Sequence, residues 1–263
     1  MIKRRLAPLL LLGAAAQFLL GSDCGPLPPP AETGRSDVSE MIATMSVRAD
    51  GRALVVTVRL TDVSGDGLTL TDGDALTASI RGEVRTLTPE NPYSGPYSTQ
   101  FQAPQSAVDV VIAFTRPSRK GAPLSTVHVA APFEITSTMP PSVHNGDPLA
   151  WKFSRPIAGD DGTPQAHFEG SCLETDVGNK SRANTTTLRP DGDNVATMHD
   201  LRLVFRTIGG NGGVLDGPCS ATMSAELEGV GQVDGAFAAT SYRHVASSLQ
   251  SDQRRSFAVT VSN

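Results

Sequence analysis

Beyond residue 20 the chain has no run approaching 18 consecutive apolar residues, so no later stretch is read as a transmembrane helix. Aromatic residues make up only 5% of it, too few for an extended platform that stacks on carbohydrate. No cluster of Lys and Arg with interleaved aromatics occurs, and 22 basic residues face 27 acidic ones. A surface of that sign repels phosphate backbones, which argues against nucleic acid as a partner. There is no Gly-x-Ser-x-Gly turn, no His-Glu-x-x-His and no glycine loop built to cradle phosphate, so no local catalytic signature is present. An enzyme whose carboxylates come from distant strands would leave no such signature, and that class stays open.

What the chain does have begins at its N-terminus. Lys3, Arg4 and Arg5 precede an apolar stretch from Leu6 to Leu20, which turns polar at Gly21-Ser22-Asp23. A spanning helix needs ~20 apolar residues; a shorter run behind a basic start has the form of an export signal, expected over 1–23. Its removal takes away Lys3, Arg4, Arg5 and Asp23 and leaves 19 basic against 26 acidic residues, a net charge of −7.

Cys24 follows directly, and Gly25 to Pro30 opens a proline-rich tether expected over 24–38, held extended because proline fits neither helix nor sheet interior. The segment "FLLGSDCGPLPPP" resembles the lipobox of bacterial lipoproteins, in which the cysteine becomes the first mature residue and is acylated. The family pattern is Leu, a small residue, then Gly or Ala before the cysteine, where this chain has Gly21, Ser22 and Asp23. The resemblance implies lipidation of Cys24, a membrane partner through that anchor, and a place in the bacterial cell envelope. The alternative is a cleaved, freely secreted protein.

Export also bears on the other two cysteines, since disulfides persist outside the cytosol. Cys172, in "EGSCLETD", and Cys219, in "LDGPCSAT", each lie beside turn residues in the C-terminal half. Their pairing would close a loop of nearly 50 residues, worth roughly 4 kcal/mol on the chain-entropy model. The other reading is two separate buried thiols. Neither cysteine sits in a Cys-x-x-Cys or Cys-x-x-His pair.

From Met41 onward the patterning has period two. Met41, Ala43, Met45 and Val47 share a face; after Asp50-Gly51, a hairpin signal, Leu54, Val56, Val58 and Leu60 do the same. Further strands are expected at Ala75 to Arg81, Val84 to Thr88, Tyr97 to Gln102, Ala107 to Thr115 and Ser125 to Ala131. After the connector "STMPPSVHNGD" a second series runs through Leu149 to Phe153, Gln165 to Glu169, Thr185 to Leu188, Asp200 to Thr207, Cys219 to Val230, Ala236 to Ala246 and Ser256 to Ser262. Strands at this spacing without helical periodicity predict an all-β chain of two antiparallel β-sandwich domains, 39–136 and 137–263.

"DGDALTASIRGE", "VIAFTRPSRKGAPLSTVHVAAPFEIT", "LAWKF" and "EGSC" together resemble a pattern in uncharacterised bacterial exported proteins and lipoproteins. The resemblance implies immunoglobulin-like sandwiches without implying an activity. Trp151 precedes both Cys172 and Cys219, so these are not the inter-sheet pair of a true immunoglobulin domain.

Four stretches are site-like. In "TDVSGDGLTLTDGD", Asp62, Ser64 and Asp66 alternate before Gly67, a pattern that aims oxygens at Ca²⁺; Gly73 stands where a bidentate Glu belongs. The competing reading is a β-turn using Asp and Gly for backbone reasons. His167 and Glu169 would share a strand face, with His199-Asp200 later, as metal-ligand candidates. Tyr93 and Tyr97 could stack on a ligand or cap a sheet edge. "GGNGG" at 209–213 could bring backbone close to a ligand, the competing reading being a flexible loop before the Cys219 strand. The function these observations imply is binding, adhesion or structure in the envelope, through a protein or glycan partner. A calcium-dependent binding module and a secreted hydrolase are the alternatives.

Overall fold

The computed structural model describes residues 31–91, 95–137, 142–144, 149–157, 161–174, 178–187, 189–192, 195–198, 219–237 and 248–262. The export segment, Cys24, Tyr93, His199, Asp200, the glycine run at 209–213 and the strands expected over 200–207 and most of 236–246 lie outside the described residues.

Among the described residues the fold is all-β and largely antiparallel, with only two single-turn 3₁₀ segments at Thr33–Arg35 and Val38–Glu40. The first half holds β1 (Ala31–Glu32), β2 (Met41–Ala49), β3 (Ala53–Asp62), β4 (Leu68–Thr69), β5 (Ala75–Ile80), β6 (Glu83–Thr86), β7 (Thr88–Pro89), β8 (Tyr97–Gln102), β9 (Val108–Thr115) and β10 (Ala122–Val129). The second holds β11 (Ser142–His144), β12 (Leu149–Lys152), β13 (Thr163–Glu174), β14 (Gly178–Thr187), β15 (Arg189–Gly192), β16 (Val195–Met198), β17 (Cys219–Val230) and β18 (Ser248–Ser262). No described helix is long and apolar enough to cross a membrane.

Residues 41–129 build two facing sheets. The alternation of β2 and β3 buries Met41, Ala43, Met45 and Val47, and Leu54, Val56, Val58 and Leu60, each 2% exposed or less. Opposite them stands the sheet β10-β9-β5-β6, which contributes Leu76, Ala78, Val110, Ile112 and Phe114 to the same apolar cluster. Fully burying a side chain such as Leu54 or Ile112 contributes about 1.5–3 kcal/mol. Asp50-Gly51 makes the β2–β3 turn as its sequence predicts: Gly51 has φ +88°, and Asp50 Oδ1 accepts the backbone N–H of Arg52 at 2.8 Å and of Ala53 at 3.0 Å.

The β2–β3 sheet does not stop at β2. Its strand order is β14-β13-β17-β18-β2-β3-β8-β7, so strands from both sides of the expected 136/137 boundary share one sheet. The join is parallel: β18 lies beside β2 with Asp252 opposite Arg48 and Gln253 opposite Ala49. Farther along, β11 takes the same parallel role, with Ser142 opposite Thr260. The segment 232–237 returns to the facing sheets of 41–129, where Phe237 stacks on Phe114 at 6.1 Å and Gln232 bridges Thr126. Trp151 and Phe153 are buried as their alternation predicts, Phe153 meeting Phe133 edge-on at 5.4 Å.

Buried Arg116 fastens the N-terminal segment. Its Nε donates to Asp74 Oδ2 at 3.1 Å, Nη2 to the Thr33 carbonyl at 2.7 Å and Nη1 to the Ser36 carbonyl at 3.0 Å. Beside it β1 pairs with β4, and the Gly34 N–H donates to Thr71 Oγ1 at 3.0 Å.

Candidate functional site

Strand order decides which charged residues meet. On β13, β17, β18 and β2 the side chains of one face alternate with those that pack inward, such as Met223, Ala225, Leu227 and Gln253. The other face brings together Gln165 and His167 from β13, Glu226 and Glu228 from β17, Asp252 and Arg254 from β18, and Arg48 from β2. These make a continuous polar ladder. Gln165 Nε2 donates to Glu228 Oε2 at 2.6 Å, His167 Nε2 lies 2.6 Å from Glu226 Oε2, Arg254 Nη2 is 3.1 Å from the same oxygen, and Arg48 Nε is 3.0 Å from Asp252 Oδ2.

Burial sets the protonation of this ladder. Desolvation is the main cause that lifts the Asp252 carboxyl above its ordinary value; the Arg48 guanidinium opposes it, while the nearby Glu226 carboxylate adds to the rise. Desolvation also lowers His167, and the nearby Arg254 guanidinium lowers it further. A neutral imidazole in this position donates its Nε2–H to Glu226. Burial thus favours the neutral forms of Asp252 and His167, while Arg48 and Arg254 set positive charge against the carboxylates across strands.

Where the ladder ends, β18 outruns β2. Gln253 pairs with Ala49, after which the chain turns at 50–52 while β18 continues to Arg254 and Arg255. Arg48, Asp50, Arg52, Arg254 and Arg255 line an open groove of about 450 Å³ there.

Of the sequence-predicted site residues, Asp62, Ser64 and Asp66 do come together, in a tight turn. Asp62 Oδ1 accepts the N–H of Ser64 at 2.8 Å and of Asp66 at 3.0 Å, while the Gly65 N–H donates to the Asp62 carbonyl at 3.0 Å. That oxygen organises the backbone of the turn. Among the described residues no group of three or more His, Cys, Asp or Glu is arranged to hold a metal ion. His167 meets Glu226, and the Glu169 side chain lies outside those described. Tyr97 is 5% exposed, with its hydroxyl accepting the Leu70 N–H at 2.9 Å, so its ring belongs to the core.

Cys172 and Cys219 occupy one register position of the β13–β17 pair. Their side chains lie outside those described, and no disulfide is seen among the described residues.

Sequence reasoning missed Glu226, Asp252, Arg48 and Arg254. The available signal was charge at every second position in "AELEG" and "SDQRR", a polar face where an inward one was being sought. No family model matches the chain, and no curated protein is significantly similar to it.

Proposed function

We propose that the chain is an exported protein of the bacterial cell envelope, anchored through acylated Cys24, that binds a protein or glycan partner without transforming it. In this reading two immunoglobulin-like sandwich units, 39–136 and 137–263, are joined edge to edge through β2 and β18 and held off the membrane by the Gly25 to Pro30 part of the proline tether, the rest of which, from Ala31 on, is fastened to the fold. The observation that carries the binding role is the mutual engagement of the ladder. Asp252 is tied to Arg48, and Glu226 to His167 and Arg254, so these groups brace a rigid sheet across four strands. A braced sheet is the scaffold on which turns and sheet ends serve recognition.

One observation favours a second reading, a hydrolase: the half-buried Asp252 carboxyl is raised above its ordinary value with a second carboxylate, Glu226, nearby. Both carboxyls are already held by guanidinium groups, which leaves the binding role the better supported.

The test is the intact mass of the full chain purified from a bacterial envelope. A chain starting at Cys24 and carrying acyl groups is expected. An unacylated mass starting elsewhere removes the anchor and leaves a secreted protein.

A further inference from the structure

The groove at the β2–β3 turn has a composition at odds with the chain around it. Four guanidinium groups and one carboxylate line it, in a protein whose net charge is −5. The one lining carboxylate is turned to the backbone, since Asp50 Oδ1 accepts the N–H groups of Arg52 and Ala53. Those two hydrogen bonds, led by the one from Ala53, hold the Asp50 carboxyl below its ordinary value.

The arginines are held in place by different means. Arg255 is 13% exposed at its side chain; its guanidinium lies 5.2 Å over the Phe133 ring, and Nη1 donates to the Arg254 carbonyl at 3.0 Å. It also packs against Gly51, where a Cβ would stand 2.9 Å from Nη2. Its nearest carboxylate, Glu134, is 3.5 Å away and itself 72% exposed. Arg48 and Arg254 are braced from the ladder side by Asp252 and Glu226, neither of which lines the groove. Arg52 is exposed and makes no side-chain hydrogen bond or ion pair among the described residues.

A fixed Arg255 and an exposed Arg52, whose charge is felt by the neighbouring Asp50, thus line the same space, with two further guanidinium groups beside them. Planar five-donor forks of this kind match the oxygens of phosphate and carboxylate groups. A volume of about 450 Å³ lies in the range of small-molecule sites, roughly 300–1,000 Å³, and exceeds what one simple ion fills.

We propose that this groove is a binding site for a multivalent oxyanion, a small ligand carrying two or more phosphate or carboxylate groups. The ligand docks with one anionic group between Arg52 and Arg255 and a second toward Arg48 and Arg254. The inference rests on the binding reading only in that the ligand is held and not turned over.

The experiment is calorimetric titration of the full chain with pyrophosphate and, separately, citrate at constant ionic strength. Saturable binding with a Kd below about 1 mM is expected for at least one of them. Arg52→Gln, an exposed change that leaves the core intact, and Arg255→Gln are each expected to weaken it tenfold or more. Lys120→Gln, which removes an exposed charge in the β9–β10 turn, is expected to leave it unchanged. Tighter pyrophosphate assigns the site to phosphate groups and tighter citrate to carboxylates. Absence of saturable binding to either probe, or an equal loss in Lys120→Gln and Arg52→Gln, overturns the site. Release of orthophosphate from pyrophosphate would instead overturn the non-enzymatic reading and leave the groove as a binding site.

Discussion

Cys172 on β13 stands directly opposite Cys219 on β17, the last of ten consecutive antiparallel pairs that begin at Thr163 and Glu228. Directly opposed residues in such a ladder have Cα atoms about 4.5–5.5 Å apart, within the roughly 4.4–6.8 Å that a disulfide spans. A two-thiol oxidation by a disulfide-donating oxidant in the export compartment, which releases two protons and passes two electrons to the donor, would join the strands covalently. We expect the exported protein to be two hydrogens lighter before reduction than after. Cys172→Ser and Cys219→Ser are each expected to lower unfolding stability by up to roughly 4 kcal/mol. Alkylation of both thiols in the unreduced, denatured protein would show that they do not pair.

Arg116 and Asp74 form the most deeply buried ion pair among the described residues, with side chains 1% and 3% exposed. Truncating one partner leaves the other charged and unpaired in the interior, and here also frees the Thr33 and Ser36 carbonyls. Arg116→Ala is expected to cost about 3–5 kcal/mol in urea unfolding. Arg116→Met with Asp74→Leu should recover part of that loss, because it removes the unpaired charge while Met donates nothing to the Thr33 and Ser36 carbonyls. A loss below about 1 kcal/mol in the single variant would mean that the pair does not fasten the N-terminal segment.

Much of residues 41–129 is readable from alternation because β2, β3, β5 and β9 each have one inward and one outward face, whereas β6 is exposed at all four positions. β2, β3, β9 and β17 fall where period two puts them, with β17 running from Cys219 to Val230 as expected. β10 starts earlier than its apolar residues suggest, at Ala122, because a register shift between Ala122 and Ser125 admits Pro123 into an edge strand. The second half is harder to read. β14, "GNKSRANTTT", lies at the end of the sheet order and has no apolar alternation. β18 is central yet starts with "SLQSDQRR", whose Asp252 and Arg254 are paired with ions on its two neighbours, β2 and β17. Its parallel pairing with β2 joins residues about 200 apart, and no local pattern encodes that contact. The ladder and the groove both depend on this one pairing.

The turn at Asp62 separates a backbone role from a metal role. Its Oδ1 holds two N–H groups, so Asp62→Ala is expected to destabilise the protein by about 1 kcal/mol with or without calcium. Asp66 is exposed and donates its own N–H to Asp62, so Asp66→Ala should leave stability within about 0.5 kcal/mol. Thermal melts with and without millimolar Ca²⁺ decide between the two roles. A calcium-dependent rise in Tm that Asp66→Ala abolishes would establish the calcium-dependent module.

The ladder should impose two opposed pH dependences on stability. The unfolded imidazole takes up a proton as pH falls through 6.5, while folded His167 resists, so the unfolded state binds more protons and stability declines below that pH. Asp252 works in the opposite sense. Its folded carboxyl keeps a proton that the unfolded one has lost by 3.8, so its contribution is fully present below 3.8 and declines as pH rises from there through the raised folded value. Urea midpoints of wild type and variants, taken from about pH 4 to 8, separate the two. Relative to wild type, His167→Gln should flatten the limb below 6.5, and Asp252→Asn should remove the decline above 3.8. If the His167→Gln profile runs parallel to wild type throughout, the imidazole is not held neutral by its burial beside Arg254, and the ladder is merely a row of surface ion pairs.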